Sequence, residues 1–110
     1  LAAKVVNIQD AGEEEIDVLI NCSPVGMSPN HEETPISSRY LRNGMVVFDS
    51  VYNPPETRLL REAKVAGCVT ISGIELFVNQ AVGQFELWTG QKAPTYLMRD
   101  VVVRGLNGEI

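Results

Sequence analysis

Two polar side chains in this 110-residue chain occupy positions where packing alone does not require them. Tyr52 follows a nearly continuous apolar run, and Gln80 lies within an apolar segment that begins at Gly73. A phenol hydroxyl and a carboxamide can both hydrogen-bond the carboxylate or hydroxyl groups of a small ligand. For Tyr52, a satisfied core position is an equally good interpretation. A partly buried amide without partners costs about 1–3 kcal/mol, so Gln80 is expected to bond either another part of the protein or a ligand.

The surrounding pattern predicts an α/β fold. Short β-branched or apolar runs predict strands, and the last three are apolar enough to be covered on both faces of a sheet. These strands are Lys4–Ile8, Ile16–Asn21, Met45–Val51 and Cys68–Ile71. Because strands alternate with helical segments, the sheet should be mostly parallel, as in the distal half of a Rossmann-like domain.

Three helices follow from periodicity and from their end signals. The first is predicted to be capped by Asn53, with Pro54 at its first position, Glu56 completing a capping box and Gly67 ending it. Its apolar face contains Leu59, Leu60, Ala63 and Ala66.

The second predicted helix begins with the S-x-x-E capping box of Ser72 and Glu75 and ends at Gly90. Its broad apolar arc runs from Ile74 to Trp88, with Gln80 on the border between that arc and a smaller patch. The third helix starts at Pro94 and reaches about Arg104, and a short helix is predicted between Pro35 and Arg42.

Three predicted loops leave the carboxyl ends of strands, at Asn21, at Tyr52 and at Ser72. In an open parallel sheet these ends share one edge, where ligands bind. In the first loop, Ser23 and Gly26 are compatible either with a plain turn or with close approach to a ligand. Asp49, which closes a strand, is expected to cap or orient its neighbours.

Composition excludes several other classes of site. The net charge of −5 argues against nucleic-acid binding, and no apolar run reaches the roughly 18 residues of a membrane span. Cys22 and Cys68 lack metal-like spacing and are interpreted as buried thiols in a reducing compartment. His31 and the acidic run Glu13–Glu15 are interpreted as solvated loop residues, and no phosphate-binding glycine motif is present.

Four ordered motifs resemble the C-terminal half of shikimate dehydrogenases. I-N-C-S-P-V-G-M is similar to that family's I-N-A-T-P-V-G-M, and D-S-V-Y-N-P-P-E-T-R-L-L to D-x-x-Y-x-P-x-x-T-x-L-L. G-I-E-L-F-V-N-Q-A and F-E-L-W-T-G resemble G-x-x-M-L-x-x-Q-A and F-x-x-W-T-G. The resemblance covers about residues 16–98. The segment P-N-H-E-E-T-P-I is most similar to members fused to a dehydroquinate dehydratase.

The resemblance implies reduction of 3-dehydroshikimate to shikimate with NADPH. It implies that Tyr52 and Gln80 contact shikimate. The nicotinamide side is implied to be lined by Ser23, Ser50, Gly73 and Met27, with Gly26 beside them and Ser50 acting through its backbone.

The family's catalytic Lys and Asp and its phosphate-binding segments have no match in these residues, and the chain starts at Leu1 without an initiator Met. We therefore expect a fragment of a longer, cytoplasmic protein (plastid in a plant), inactive alone. Its partners would be the N-terminal domain and shikimate, with no nucleic acid or membrane, and exposed apolar surface would favour self-association. The alternatives are a non-catalytic regulatory module of the shikimate pathway and a quinate dehydrogenase.

Overall fold

The computed structural model describes residues 2–110 and contains one parallel three-stranded sheet. Its strands are β1 (Val18–Asn21), β2 (Val46–Asp49) and β3 (Val69–Ile71), in the order β1-β2-β3. The helices are α1 (Arg58–Val65), α2 (Gly73–Thr89) and α3 (Thr95–Leu106). This alternation confirms the predicted α/β, mostly parallel architecture. None of the helices in this described part is long and apolar enough to cross a membrane.

One face of the sheet packs against α1 and holds the core. Val47 in the central strand is fully buried, and Leu59, Leu60 and Ala63 of α1 are almost fully buried against it. The predicted apolar face of this helix is therefore confirmed, with Ala66 partly buried beside it. The remaining core side chains come from the segment before β2 and from its start: Ile36, Leu41 and Met45.

The other face of the sheet is open, which corrects the expectation that the strands are covered on both sides. Strand register places two rows of apolar side chains on it, Val18–Val46–Val69 and Ile20–Phe48–Ile71. The edge-strand members are between 39% and 58% exposed, and the central Val46 and Phe48 are half-buried by their neighbours. Within residues 2–110, no helix covers this surface, which we call the open sheet face.

The predicted strand at Lys4–Ile8 is wrong. These five residues are exposed and form no strand pairing, and Val5 is 97% exposed. A β-branched run favours extended backbone, but a strand also needs a neighbouring ladder and a surface to pack against. Within the described residues, this segment pairs with neither edge strand of the sheet and stays exposed. The chain instead turns at Asn7 to Asp10 and forms a 3₁₀ turn at Ala11–Glu13.

The start of α1 also differs from the prediction. The helix is capped by Thr57, whose side-chain oxygen accepts a hydrogen bond from Leu60 N, and not by Asn53. Two consecutive prolines explain the shift, because Pro55 disfavours the helical backbone conformation at Pro54. The predicted helix within Pro35–Arg42 is reduced to a 3₁₀ turn at Ser38–Tyr40. Gly67 follows α1 with φ of +84°, as expected of a helix stop.

The ends of α2 and α3 fall where the sequence predicts. Ser72 occupies the N-cap position of α2, Gly90 ends it in the left-handed conformation, and Pro94 precedes α3. The Ser72–Glu75 capping box is not formed: the Ser72 side chain makes no capping bond, and Glu75 pairs with Arg99 of α3. Glu75 thus forms an ion pair with a residue of another helix and does not form the local hydrogen bond of a capping box. Glu86 further ties α2 to the α3 connection by accepting a hydrogen bond from Ala93 N at 3.1 Å.

Candidate functional site

The carboxyl ends of the three strands lie at one edge of the sheet, as predicted. Asn21 and Asp49 are register partners at the ends of β1 and β2, and Ile71 ends β3 beside Phe48. The loops that begin at Asn21, Ser50 and Ser72 therefore leave the sheet together. Parallel strands force this convergence because all of them point the same way.

A cleft of about 220 Å³ opens at this edge, between the loop after β2 and the first turns of α2. It brings together four of the predicted site residues, Ser50, Tyr52, Gly73 and Gln80, together with Leu76 and Phe77. The rings of Tyr52 and Phe77 have centroids 4.7 Å apart and are tilted by 35°. This contact fixes the Tyr52 ring at the cleft wall and leaves its hydroxyl to reach a ligand.

Tyr52 and Gln80 are both exposed, whereas Ser50 is half-buried. Tyr52 is 41% exposed, and Gln80 is exposed as well, so the expectation of a partly buried amide is wrong for this chain. The apolar arc that should have flanked Gln80 is itself only half-buried at Phe77 and Phe85, and Trp88 is 76% exposed. The amide and the phenol can therefore hydrogen-bond a molecule that enters the cleft.

A buried polar network underlies the cleft. The fully buried Asp49 carboxylate accepts three hydrogen bonds: from Asn21 Nδ2 at 3.1 Å, from Val51 N at 3.0 Å and from Thr57 Oγ1 at 2.7 Å. Buried charge is tolerated only with such partners. The sequence indicated a capping or orienting role for Asp49, which is confirmed, but it did not reveal Asn21 and Thr57 as partners. The signal for this network in the sequence was the position of three polar residues, Asn21, Asp49 and Thr57, at the borders of apolar segments.

Ser23 and Met27 belong to the loop after β1 and do not line this cleft. The Ser23 hydroxyl donates to Asn21 Oδ1 at 2.6 Å and accepts from Val25 N at 3.3 Å. The single proton of this hydroxyl is therefore already donated in a hydrogen bond to Asn21. Met27 is 46% exposed, and the next residue, Ser28, donates its backbone N–H to Asn53 O at 2.9 Å. That bond joins the loop after β1 to the loop after β2.

Two glycines of the predicted site have structural reasons to be glycine. A Cβ at Gly73 would lie 2.4 Å from Val51 O and 2.6 Å from Ser50 O, so only glycine lets α2 start this close to the strand end. Gly26 has φ of +92°, and its Cβ would lie 3.1 Å from Glu33 O. Neither identity therefore requires a ligand as its explanation.

The remaining reactive side chains form no site. Cys22 is exposed, which corrects its expected burial, while Cys68 is half-buried and burial raises the pKa of its thiol. Both are free thiols. His31 is exposed beside Glu32, as predicted. Residues 2–110 hold no cluster of three or more side chains able to bind a metal ion.

Other hollows on the surface are larger than the cleft. One of about 350 Å³ lies against α1, lined by Ser38, Arg61, Glu62, Val65 and Ala66. Glu62 Oε2 is buried without a hydrogen-bond partner, and Glu62 Oε1 pairs with Arg58. The strand ends do not reach this hollow. The cleft is the better candidate site because four predicted residues converge on it.

Comparison with known proteins gives one consistent result. Residues 73–103 match the model of the shikimate 5′-dehydrogenase C-terminal domain. The NADP(+) shikimate dehydrogenase of Methanosarcina acetivorans is 49% identical over 92 residues, which are 84% of this chain and 33% of that protein. The chain thus spans about a third of the length of the first curated relatives that it matches.

Solved structures agree in fold. A shikimate dehydrogenase in complex with NADP+ is 37% identical with a TM-score of 0.79, covering 82% of this chain and 32% of that one. A quinate dehydrogenase from Corynebacterium glutamicum in complex with NAD is also 37% identical, with a TM-score of 0.74, covering 79% of this chain and 30% of that one. In both sequence and fold, the chain matches the C-terminal part of shikimate dehydrogenases.

Proposed function

We propose that this chain supplies one wall of the active site of an NADP-dependent shikimate dehydrogenase, which interconverts 3-dehydroshikimate and shikimate. The observation that carries the proposal is the convergence of Tyr52 and Gln80 with Ser50 and Gly73 on a single cleft at the carboxyl edge of the sheet. A shikimate dehydrogenase is 49% identical to the chain over 92 residues, and a solved shikimate dehydrogenase has a similar fold with a TM-score of 0.79.

Tyr52 and Gln80 are the substrate-side residues of the proposal. Shikimate carries a carboxylate and three hydroxyl groups on a small ring, and it needs hydrogen-bond donors and acceptors around it. The exposed phenol hydroxyl donates or accepts one bond, and the exposed carboxamide does both. Because Phe77 packs against the Tyr52 ring, that hydroxyl is oriented before the substrate arrives.

The residues around the cleft fit the nicotinamide end of NADP, which when bound supplies the hydride. Gly73 has no side chain, and the backbone carbonyl of Ser50 lies next to it. Together they leave a flat wall beside Tyr52. Ser23 and Met27 lie outside the cleft on the loop after β1, which is joined to the second loop at Asn53, and we propose that a bound nicotinamide reaches them there. Since its proton is committed to Asn21, the Ser23 hydroxyl offers a ligand only an acceptor lone pair.

The family's catalytic Lys and Asp and its phosphate anchors have no match among these residues. Positioning of both reactants and anchoring of the phosphates supply much of the free energy of such reactions. The proposal therefore includes the expectation that the 110-residue chain alone neither oxidises shikimate nor binds NADPH tightly.

Quinate oxidation with NAD is the second candidate function. The quinate dehydrogenase is as similar to the chain, at 37% identity, as the NADP+-bound shikimate dehydrogenase. Shikimate remains the first proposal because three curated relatives, 44–49% identical to the chain, are named NADP(+) shikimate dehydrogenases.

A hybrid enzyme tests the proposal. The chain replaces the matching C-terminal segment of the Methanosarcina acetivorans shikimate dehydrogenase, to which it is 49% identical. We expect NADP-dependent oxidation of shikimate, followed by absorbance at 340 nm as the reduced cofactor forms. Faster turnover of quinate with NAD would favour the second candidate. A folded hybrid that binds both ligands without turnover would favour a regulatory module.

A further inference from the structure

We infer that Asp49 is a positioning residue: its buried carboxylate holds the loop of Ser23 and the loop of Tyr52 in one fixed arrangement at the edge of the sheet. This inference rests on the proposed function for its kinetic consequence, and its structural part stands independently. Asp49 touches no ligand, because it is fully buried. Its effect on the cleft is exerted through the groups that it binds.

One carboxylate oxygen serves both loops. Asp49 Oδ1 accepts from the backbone N–H of Val51, the residue before Tyr52, at 3.0 Å. The same oxygen accepts from Asn21 Nδ2 at 3.1 Å. The two loops are therefore anchored to a common atom.

Asn21 carries the connection into the first loop. Its Oδ1 accepts from Ser23 N at 3.1 Å and from Ser23 Oγ at 2.6 Å. Its Nδ2 also donates to Val25 O at 3.2 Å. Both N–H donors and both oxygen lone pairs of this buried amide are thus used to fix residues 23–25 against Asp49.

The second carboxylate oxygen has a different task. Asp49 Oδ2 accepts from Thr57 Oγ1 at 2.7 Å, and the same Thr57 oxygen caps α1 by accepting from Leu60 N. Removing this bond should weaken the core and the start of α1 while leaving both Oδ1 bonds in place. The two oxygens of one side chain therefore separate positioning of the cleft from stability of the helix, which gives the experiment a matched control.

Hydrogen exchange in the 110-residue chain tests the structural part. We expect Asp49→Ala to speed exchange of the Ser23, Val25 and Val51 amides by at least about tenfold relative to Ser50, whose N–H bonds Asn21 O in the backbone ladder. Thr57→Val, which breaks the Oδ2 bond and the cap of α1 but neither Oδ1 bond, should leave the ratios of these amides to Ser50 unchanged. Equal changes in both variants would overturn the inference, because they would mean a general loss of stability.

Two further variants keep the test decisive if Asp49→Ala does not fold. Asp49→Asn retains an oxygen for the two loops and turns an NH₂ towards Thr57, whose hydroxyl can accept it, so protection should return. Asn21→Ala should speed exchange of Ser23 and Val25 but not of Val51, which bonds Asp49 directly. Exchange at Val51 that rises as much as at Ser23 would contradict the proposed connectivity.

Kinetics of the hybrid enzyme test the functional part. Asp49→Ala should lower kcat/KM for shikimate about tenfold or more, Asp49→Asn should restore most of it, and Thr57→Val should stay within about threefold of the unsubstituted hybrid. Exchange effects without these kinetic effects would sink the positioning role in catalysis while leaving the network intact. An inactive unsubstituted hybrid would instead count against the proposed function, and the exchange result would stand by itself.

Discussion

Asn21 and Asp49 lie 28 positions apart in the chain and are joined side chain to side chain at the carboxyl edge of the sheet, with Asn21 Nδ2 donating to Asp49 Oδ1 at 3.1 Å. They are also register partners at the ends of adjacent parallel strands. A buried carboxylate under a ligand cleft is often a reacting group. Here it is engaged by three donors and faces the protein interior, so its place in the molecule is to hold loops in position.

Substitution of Gly73 should separate packing from function. Gly73→Ala places a methyl group 2.4 Å from Val51 O, which forces α2 or the strand end to move and should cost about 1–3 kcal/mol of the free energy of unfolding. Gly83→Ala is the matched control, since its Cβ meets nothing within 4 Å and alanine should stabilise that helix by about 0.5–1 kcal/mol. Urea denaturation measures both. Equal stability of the two variants would contradict the close approach.

Tyr52 and Gln80 are predicted to act on the substrate side of the cleft. In the hybrid enzyme, Tyr52→Phe and Gln80→Ala should each remove one hydrogen bond to shikimate. The loss should be about 0.5–1.5 kcal/mol for an uncharged partner and about 1.5–3 kcal/mol for the carboxylate, or about twofold to a hundredfold in kcat/KM. The affinity for NADP, measured by fluorescence titration, should change little.

The control for this pair is Gln84→Ala, which removes the same amide one turn further along α2, where it is exposed and outside the cleft. Its kinetics should match those of the unsubstituted hybrid. Loss of NADP affinity with normal shikimate kinetics in the Tyr52 and Gln80 variants would place both residues on the cofactor side. Unfolding of both variants would mean that they are structural groups.

The open sheet face should make the isolated chain self-associate. Val18, Ile20 and Ile71 are 54%, 53% and 39% exposed on one continuous apolar surface. Ile20→Glu should weaken association by about tenfold or more, since burial of such a side chain contributes about 1.5–3 kcal/mol. Val65→Glu is the control, because Val65 is 91% exposed on α1, outside this face. Sedimentation velocity at several concentrations distinguishes the variants, and equal association constants would reject this face as the contact.

The two thiols should differ in reactivity. Burial raises the pKa of Cys68 above its usual 9.0, so its reactive thiolate forms only at more alkaline pH, whereas Cys22 is exposed. Alkylation by iodoacetamide at pH 8, followed by mass spectrometry, should modify Cys22 first, and Cys22→Ser should abolish the fast phase. The raised pKa also means that the folded state holds this proton more tightly. Its contribution to stability is complete below pH 9.0 and is lost as the pH rises through the folded-state pKa.

Local signals in the sequence determined most of the elements. Period-two and continuous apolar runs placed β1, β2 and β3, and their alternation with helices implied parallel pairing. Gly67 and Gly90 ended α1 and α2 where predicted, because a left-handed residue after a helix strongly favours glycine. The convergence of Tyr52 and Gln80 also followed from topology, since parallel strands deliver their loops to one edge.

Tertiary structure decided the features that depend on distant partners. Lys4–Ile8 has the composition of a strand but no ladder to join, and Thr57 caps α1 because the buried Asp49 lies within hydrogen-bond distance of it. Glu75 pairs with Arg99 of α3 and does not form the predicted capping box with Ser72. The exposure of Gln80 and of one whole sheet face likewise reflects what packs nearby. The sequence pattern indicates which side chains lie on each face of a helix or strand. Only the assembled fold determines which of those side chains are buried or hydrogen-bonded.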